Sequence, residues 1–221
     1  MSLRAKNPLK DDDHFVFDED THTYKYKGLE ILTSVTAMLA SYWPTFDAEA
    51  TIADCFDRWA TQHTSKYYHL IKYLQLVEGK SVDFCKLAIA ALWKADGAQA
   101  SSKGTEMHTA FEQMIEGIGL QVETVETRLF RDWFFKFCDM NDLEPFRCEL
   151  RMLHKTQDGT PVVAGTADLL LRKRGTDSYV LMDFKRQDPT PKWRNGKPNL
   201  FGLNQQTVFS KPGLGPFETF L

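Results

Sequence analysis

The sequence lacks any hydrophobic run of membrane length. Its longest apolar stretches, such as Leu87–Trp93, fall far short of the roughly 20 residues needed to cross a bilayer. The opening MSLRAKNPLKDDDH has no apolar core of a secretory signal. Both absences predict an intracellular protein without a membrane partner. Cysteine is sparse: Cys55, Cys85, Cys138 and Cys148 form no CxxC pair, and the six histidines do not cluster. This argues against a zinc or iron–sulfur knot and reads as reduced thiols, mostly in the core. Internal repeats are missing, which argues against a solenoid. A large charge of one sign is missing too, since the net charge is only −3. Any case for a polyanionic partner must therefore be local.

What is present suits a folded protein. The 221 residues are 43% hydrophobic and 26% charged, near the average for globular chains and enough for one domain with a real core. We expect a single domain over 1–221. A leading hairpin and helix span 14–44, a helical part 47–142, a sheet 145–186, and an irregular tail 187–221.

Periodicity sets those boundaries. HFVFDEDTHTYKYKGLEI alternates apolar and polar residues around a turn, the period-two signature of a β-hairpin. Thr33 or Ser34 can then cap a helix that Pro44 ends. From Asp47 to about Asp142 apolar residues recur at helical spacing, and their Phe, Trp and Leu stripes read as core. After Pro145 the period returns to two. FRCELRMLHK, a turn at Asp158-Gly159, PVVAGTADLLLRK, a turn near Gly175 and SYVLMDFKR predict three adjacent antiparallel strands.

One cluster of residue types invites chemistry. In VLMDFKR, side chains two apart on a strand share a face, so Asp183 and Lys185 project together while Met182 and Phe184 face the core. GTADLLL places Asp168 among small and apolar residues, where an unpaired carboxylate is costly. Two such carboxylates repel, and a divalent cation would turn that repulsion into coordination. Lys185 would then lie beside the bound water, to hold the nucleophile or to stabilise charge developing on a phosphate. Glu149, on the strand side shared with Arg147 and Arg151, offers a further carboxylate ligand. SSKGTEMHTAFEQMIEG reads as a helix capped by Ser101 or Ser102. On it His108 and Glu112, four apart, share a face at the edge of the Met107/Phe111/Ile115 stripe. Taken singly, each feature has a plainer reading: DxK as a surface ion pair, Asp168 as a turn residue, His108 as a hydrogen-bonded helix histidine.

In that order, GTEMHTAFE, CELRM, GTADLLL and VLMDFKR resemble the PD-(D/E)XK nuclease superfamily, in its RecB and lambda-exonuclease-like branch. The likeness covers about residues 101 to 186, and the leading hairpin is similar to the start of several phage-type members. It implies an α/β (α+β) fold with a restriction-endonuclease-like core, a mixed β-sheet flanked by helices. It implies that Asp168 and Asp183 bind Mg²⁺ or Mn²⁺ and that Lys185 is the catalytic lysine. His108 matches the histidine contributing to the metal site, Glu112 the helical glutamate and Glu149 an accessory carboxylate. The implied reaction is phosphodiester hydrolysis of single- or double-stranded DNA, by an exonuclease acting at ends. Two alternatives stay open: a non-catalytic nucleic-acid-binding remnant of the same fold, and an unrelated α/β domain that contacts other proteins.

Two departures accompany the likeness. Ala167 stands where the motif has its proline. The branch's later helix, with Gln and Tyr four apart, has only Gln205/Phe209 and Gln206/Ser210 as counterparts, so that element is expected to be degenerate or cut short. Between Arg172 and Lys197 eight Lys or Arg face three Asp. Arg186, Lys192, Arg194 and Lys197 are accordingly expected to contact phosphates, with Trp193 available to stack on a base.

Overall fold

Alternation at the N-terminus builds a three-stranded sheet. In the computed structural model, which describes residues 1–19, 21–120, 122–186, 192–194 and 197–199, a short helix α1 (Leu3–Lys6) precedes strands β1 (Phe15–Asp18), β2 (Thr23–Tyr26) and β3 (Leu29–Ile31). They pair antiparallel in the order β1-β2-β3. The expected hairpin thus gains a third strand. Lys27 and Gly28, with φ of 51° and 80°, make the two-residue turn of positive φ that suits the twist of β2 and β3. Phe15, Tyr24, Tyr26 and Ile31 form one small core with Ala164.

The helical part follows the apolar stripes. Ser34 caps α2 (Val35–Ala40), its hydroxyl accepting from the Ala37 N–H at 3.0 Å. Asp47 caps α3 (Ala48–Thr61), and α4 (Tyr68–Leu76) follows. These pack on the first half of α5 (Val82–Ile115), burying Ile52, Phe56, Tyr67, Ile71, Cys85 and Ile89.

The length of α5 corrects one expectation. No helix starts at Ser101 or Ser102; the cap is Ser81, and 34 residues run on without a break. Ser102 instead donates its hydroxyl to Glu106, and Thr105 donates to the Ser101 carbonyl. Glycine and serine there weaken a helix that is anchored at both ends. Its first half lies in the core just described. Its last turns bury Phe111 in a second core with Phe130, Phe134 and Cys138 of α6 (Val125–Met140).

Long strands β4 (Leu143–Lys155) and β5 (Pro161–Lys173), with short β6 (Tyr179–Met182), form the second sheet, in the order β4-β5-β6. Inward residues Cys148, Leu169 and Leu171 pack against α5 and α6. Two expectations fail here. The sheet is antiparallel throughout rather than mixed, because short turns join successive strands; the parallel contact is an isolated bridge between Ser34 and Ala164. The last strand also stops at Met182, short of Asp183 and Lys185.

The first compact unit runs from Met1 to Phe184, and Lys185 begins the second. Within the expected irregular tail, β7 (Lys192–Arg194) and β8 (Lys197–Asn199) form a short antiparallel pair. Gln205, Gln206, Phe209 and Ser210 lie outside the described residues. Among the described residues, no helix is long and apolar enough to cross a membrane.

Candidate metal centre

Register brings two carboxylates together. Cys148 pairs with Leu169 and Leu150 with Ala167, so Glu149 on β4 falls opposite Asp168 on β5. Their neighbours Cys148, Leu150, Ala167 and Leu169 are buried, which leaves Glu149 and Asp168 on the other face of the sheet. Glu149 has φ of 46°, a left-handed conformation that costs a non-glycine residue about 1 kcal/mol or more. Such strain is a common companion of functional sites.

Helix α5 supplies the third group. Because Phe111 and Met107 face the core, His108 emerges at the helix edge. Its Nδ1 lies 3.2 Å from Asp168 Oδ1, and their side chains are 28% and 13% exposed. His108, Glu149 and Asp168 each offer one ligand atom, and these atoms lie within 4.8 Å of one another. The donor set of one imidazole nitrogen and two carboxylate oxygens suits a divalent cation that keeps other positions for water or substrate.

Phe184 fixes this arrangement from behind. Its backbone N–H donates to Asp168 Oδ2. Its ring meets Phe111 and Phe130 edge-on, with centroids 5.3 Å away in both cases. Asp168 is thus oriented from two sides, by His108 on one oxygen and by a main-chain donor on the other.

The site opens into a cleft of about 770 Å³ whose wall includes Glu112, Thr166, Arg151 and, from the first sheet, Phe17, Glu19 and His22. The electrostatics are those of crowded carboxylates. Although Glu149 as a residue is exposed, desolvation of its carboxyl, then Asp168 and Glu112, push its pKa up to about 7, against the pull of Arg151. Glu112 is also raised, by desolvation and then by Glu116 and Glu19. A divalent cation would relieve this repulsion.

The sequence-derived residues divide accordingly. His108, Glu149 and Asp168 converge, and Glu112 lines the same cleft. Asp183 does not join that mutual cluster. Continuing the Leu169–Met182 pairing by one step would set Asp183 opposite Asp168, but the strand has ended and Asp183 is exposed. Alternation along a strand therefore does not set Asp183 and Lys185 on one face. Lys185 and Arg186 are exposed in the second unit, and Lys192, Arg194 and Lys197 lie on β7 and β8. Sequence reasoning missed Phe17, Glu19, His22 and Arg151 as cleft residues. The alternation in the first hairpin showed a sheet, but gave no sign that its turn would meet α5.

Comparison with protein-family models, curated proteins and solved structures returns no match. The nuclease-like motifs and the geometry of the cleft are therefore what supports a functional reading.

Proposed function

We propose that the chain is a metal-dependent deoxyribonuclease that hydrolyses phosphodiester bonds, acting at DNA ends. The observation that carries this reading is the convergence of His108, Glu149 and Asp168 in one cleft. These three residues come from three of the four segments that resemble the PD-(D/E)XK nucleases. A Mg²⁺ or Mn²⁺ ion held there would supply Lewis acidity toward a phosphoryl oxygen and lower the pKa of a coordinated water.

The chain's own groups do the rest. Asp168, oriented by the Phe184 N–H, and Glu149 present carboxylate oxygens toward the cleft, and His108 adds a nitrogen that favours Mn²⁺ more than carboxylates alone would. Glu112 is placed along the cleft to accept a proton or a hydrogen bond from substrate. The resemblance, rather than the observed cluster, adds Asp183 as a further ligand and Lys185 as the cation that steadies charge on the attacked phosphate. Arg186, Lys192, Arg194 and Lys197 bind flanking phosphates.

The deciding experiment incubates end-labelled single- and double-stranded DNA with the full chain and Mg²⁺ or Mn²⁺. Progressive shortening from an end, abolished in His108→Ala, Asp168→Asn and Lys185→Ala, is expected. A folded parent that binds Mn²⁺ yet leaves every DNA substrate intact would sink the reading.

A further inference from the structure

Away from the cleft, one surface is basic and aromatic in a chain that is acidic overall. From Arg58 to Val77 there are 20 residues without a single Asp or Glu, and they include Arg58, Lys66, Lys72, His63 and His69. Asp57 and Glu78 bound the stretch, and the Glu78 carboxylate accepts from the Tyr73 hydroxyl at 2.9 Å. The stretch is continuous along the fold. It comprises the last turn of α3, the connection after it and α4; Tyr67, just before α4, and Ile71 within it are buried in the core shared with α5.

Burying Tyr67 and Ile71 leaves Tyr68 and Lys72, four apart, together on an outer side of α4. The rings of His63 and Tyr68 are in contact, with centroids 4.2 Å apart, and Lys72 Nζ lies 5.7 Å from the Tyr68 ring. Lys66 Nζ stands 4.8 Å over Tyr67. Arg58, His63, Lys66 and His69 are exposed. Ammonium groups held over aromatic planes beside an exposed imidazole combine the two elements of single-strand recognition, cations for phosphates and flat rings for unpaired bases.

We propose that this face of α3 and α4 binds single-stranded polynucleotide, with Arg58, Lys66 and Lys72 on phosphates and the His63–Tyr68 ring pair receiving a base. The choice of a polynucleotide over another polyanion rests on the phosphodiester hydrolysis proposed above. The rings favour unpaired bases over a duplex, whose bases are already stacked. The surface is separate from the cleft: Ile89, beneath it, and His108 are 19 residues apart on α5, about 28 Å along a helix. Substitutions on one site therefore leave the other intact.

The test is the anisotropy of a fluorescent thymidine 12-mer titrated with the full chain in EDTA over a salt series. Lys66→Glu/Lys72→Glu should weaken binding at least tenfold at low salt. The milder Lys66→Gln/Lys72→Gln should reduce the slope of log affinity against log salt by about 1.4, or 0.7 for each single-strand phosphate that a lysine no longer neutralises. Tyr68→Leu should weaken the single strand roughly tenfold with the slope kept, the mark of a missing stack. Circular dichroism verifies the fold of each variant. Folded lysine variants that bind with the parent's affinity and slope overturn the proposal. So does displacement of the probe by poly-glutamate as readily as by unlabelled oligonucleotide, which would show a general anion surface. The two readings fail separately: retained probe binding without any cleavage sinks only the nuclease, and cleavage by a parent whose lysine variants bind normally sinks only this surface.

Discussion

Arg147 and Asp12 meet in a two-pronged ion pair, with Nη1 and Nη2 of the guanidinium each 2.8 Å from a different carboxylate oxygen. The Arg147 side chain is 3% exposed and that of Asp12 18%. Nη1 also donates to the Asn7 carbonyl at 2.9 Å. The pair ties the N-terminal segment to β4, two residues from Glu149. Removing one partner leaves the other charge buried, so Asp12→Ala should cost about 3–5 kcal/mol in a urea titration. A loss below about 1 kcal/mol would mean that water reaches Arg147.

The same pair sets an acid limit. Hydrogen bonds from Arg147 hold the Asp12 carboxyl well below its ordinary 3.8, at about 2. A folded-state pKa below the unfolded one gives stability that is complete above the unfolded value and lost as pH falls toward the folded one. The contribution, about 2 kcal/mol, should therefore be present at pH 5 and fade between about pH 4 and pH 2. Urea midpoints of the parent should fall through that window, and those of Asp12→Asn should fall less.

Glu149 titrates in the opposite sense. Its carboxyl is raised to about 7, first by desolvation and then by Asp168 and Glu112. It must lose its proton to act as a ligand, so Mn²⁺ affinity should climb with pH by up to tenfold per unit below about 7 and flatten above. Calorimetry from pH 5.5 to 8.5 checks this, and Glu149→Gln should lower affinity and remove most of the slope. The metal-free protein carries the converse penalty. With a folded pKa above the unfolded one, Glu149 costs stability as pH rises from about 4.5 to about 7. Glu149→Gln should therefore stabilise the metal-free chain at pH 8 more than at pH 5.

How far these groups were legible depends on the distance over which each is determined. Ser34, one of the two caps open for α2, the apolar stripes of α3, α4 and α6, and the two long strands follow from spacing within a few residues, and they stand as read. Asp168 was readable as a candidate because it interrupts an apolar strand, Glu149 because it shares a polar strand face with Arg147 and Arg151, and His108 because it shares a helix face with Glu112. Their convergence depends on a strand register and a helix packing that no local pattern encodes. The cap assigned to Ser101 or Ser102 failed because a capping residue competes with the helix already running through it, and two distant cores decide the outcome. Asp183 fits the apolar run of its strand equally well inside or just beyond the last ladder bond, so the end of β6 was invisible.

Gly165 is held by close approach rather than by backbone angle. A methyl group there would stand 2.7 Å from Val35 Cγ2, where α2 packs against β5. Gly165→Ala should cost about 1–3 kcal/mol through overpacking. Adding Val35→Ala should recover part of that loss, a coupling that a double-mutant cycle would measure. Additive effects would mean that the strand, not Val35, is what resists the methyl group.

Gly97 gives the opposite expectation on the same reasoning. It lies in the exposed middle of α5, between the two cores, and a Cβ there would meet nothing within 4 Å. Glycine in a helix interior costs about 1 kcal/mol relative to alanine, because it surrenders more backbone freedom on folding. Gly97→Ala should therefore raise stability by about 0.5–1 kcal/mol without touching the cleft. Amide exchange should slow most across Lys94 to Lys103, where the helix has little beside it but water. If exchange there is unchanged while global stability rises, that stretch opens only with the whole molecule, and α5 acts as a rigid strut between its two cores.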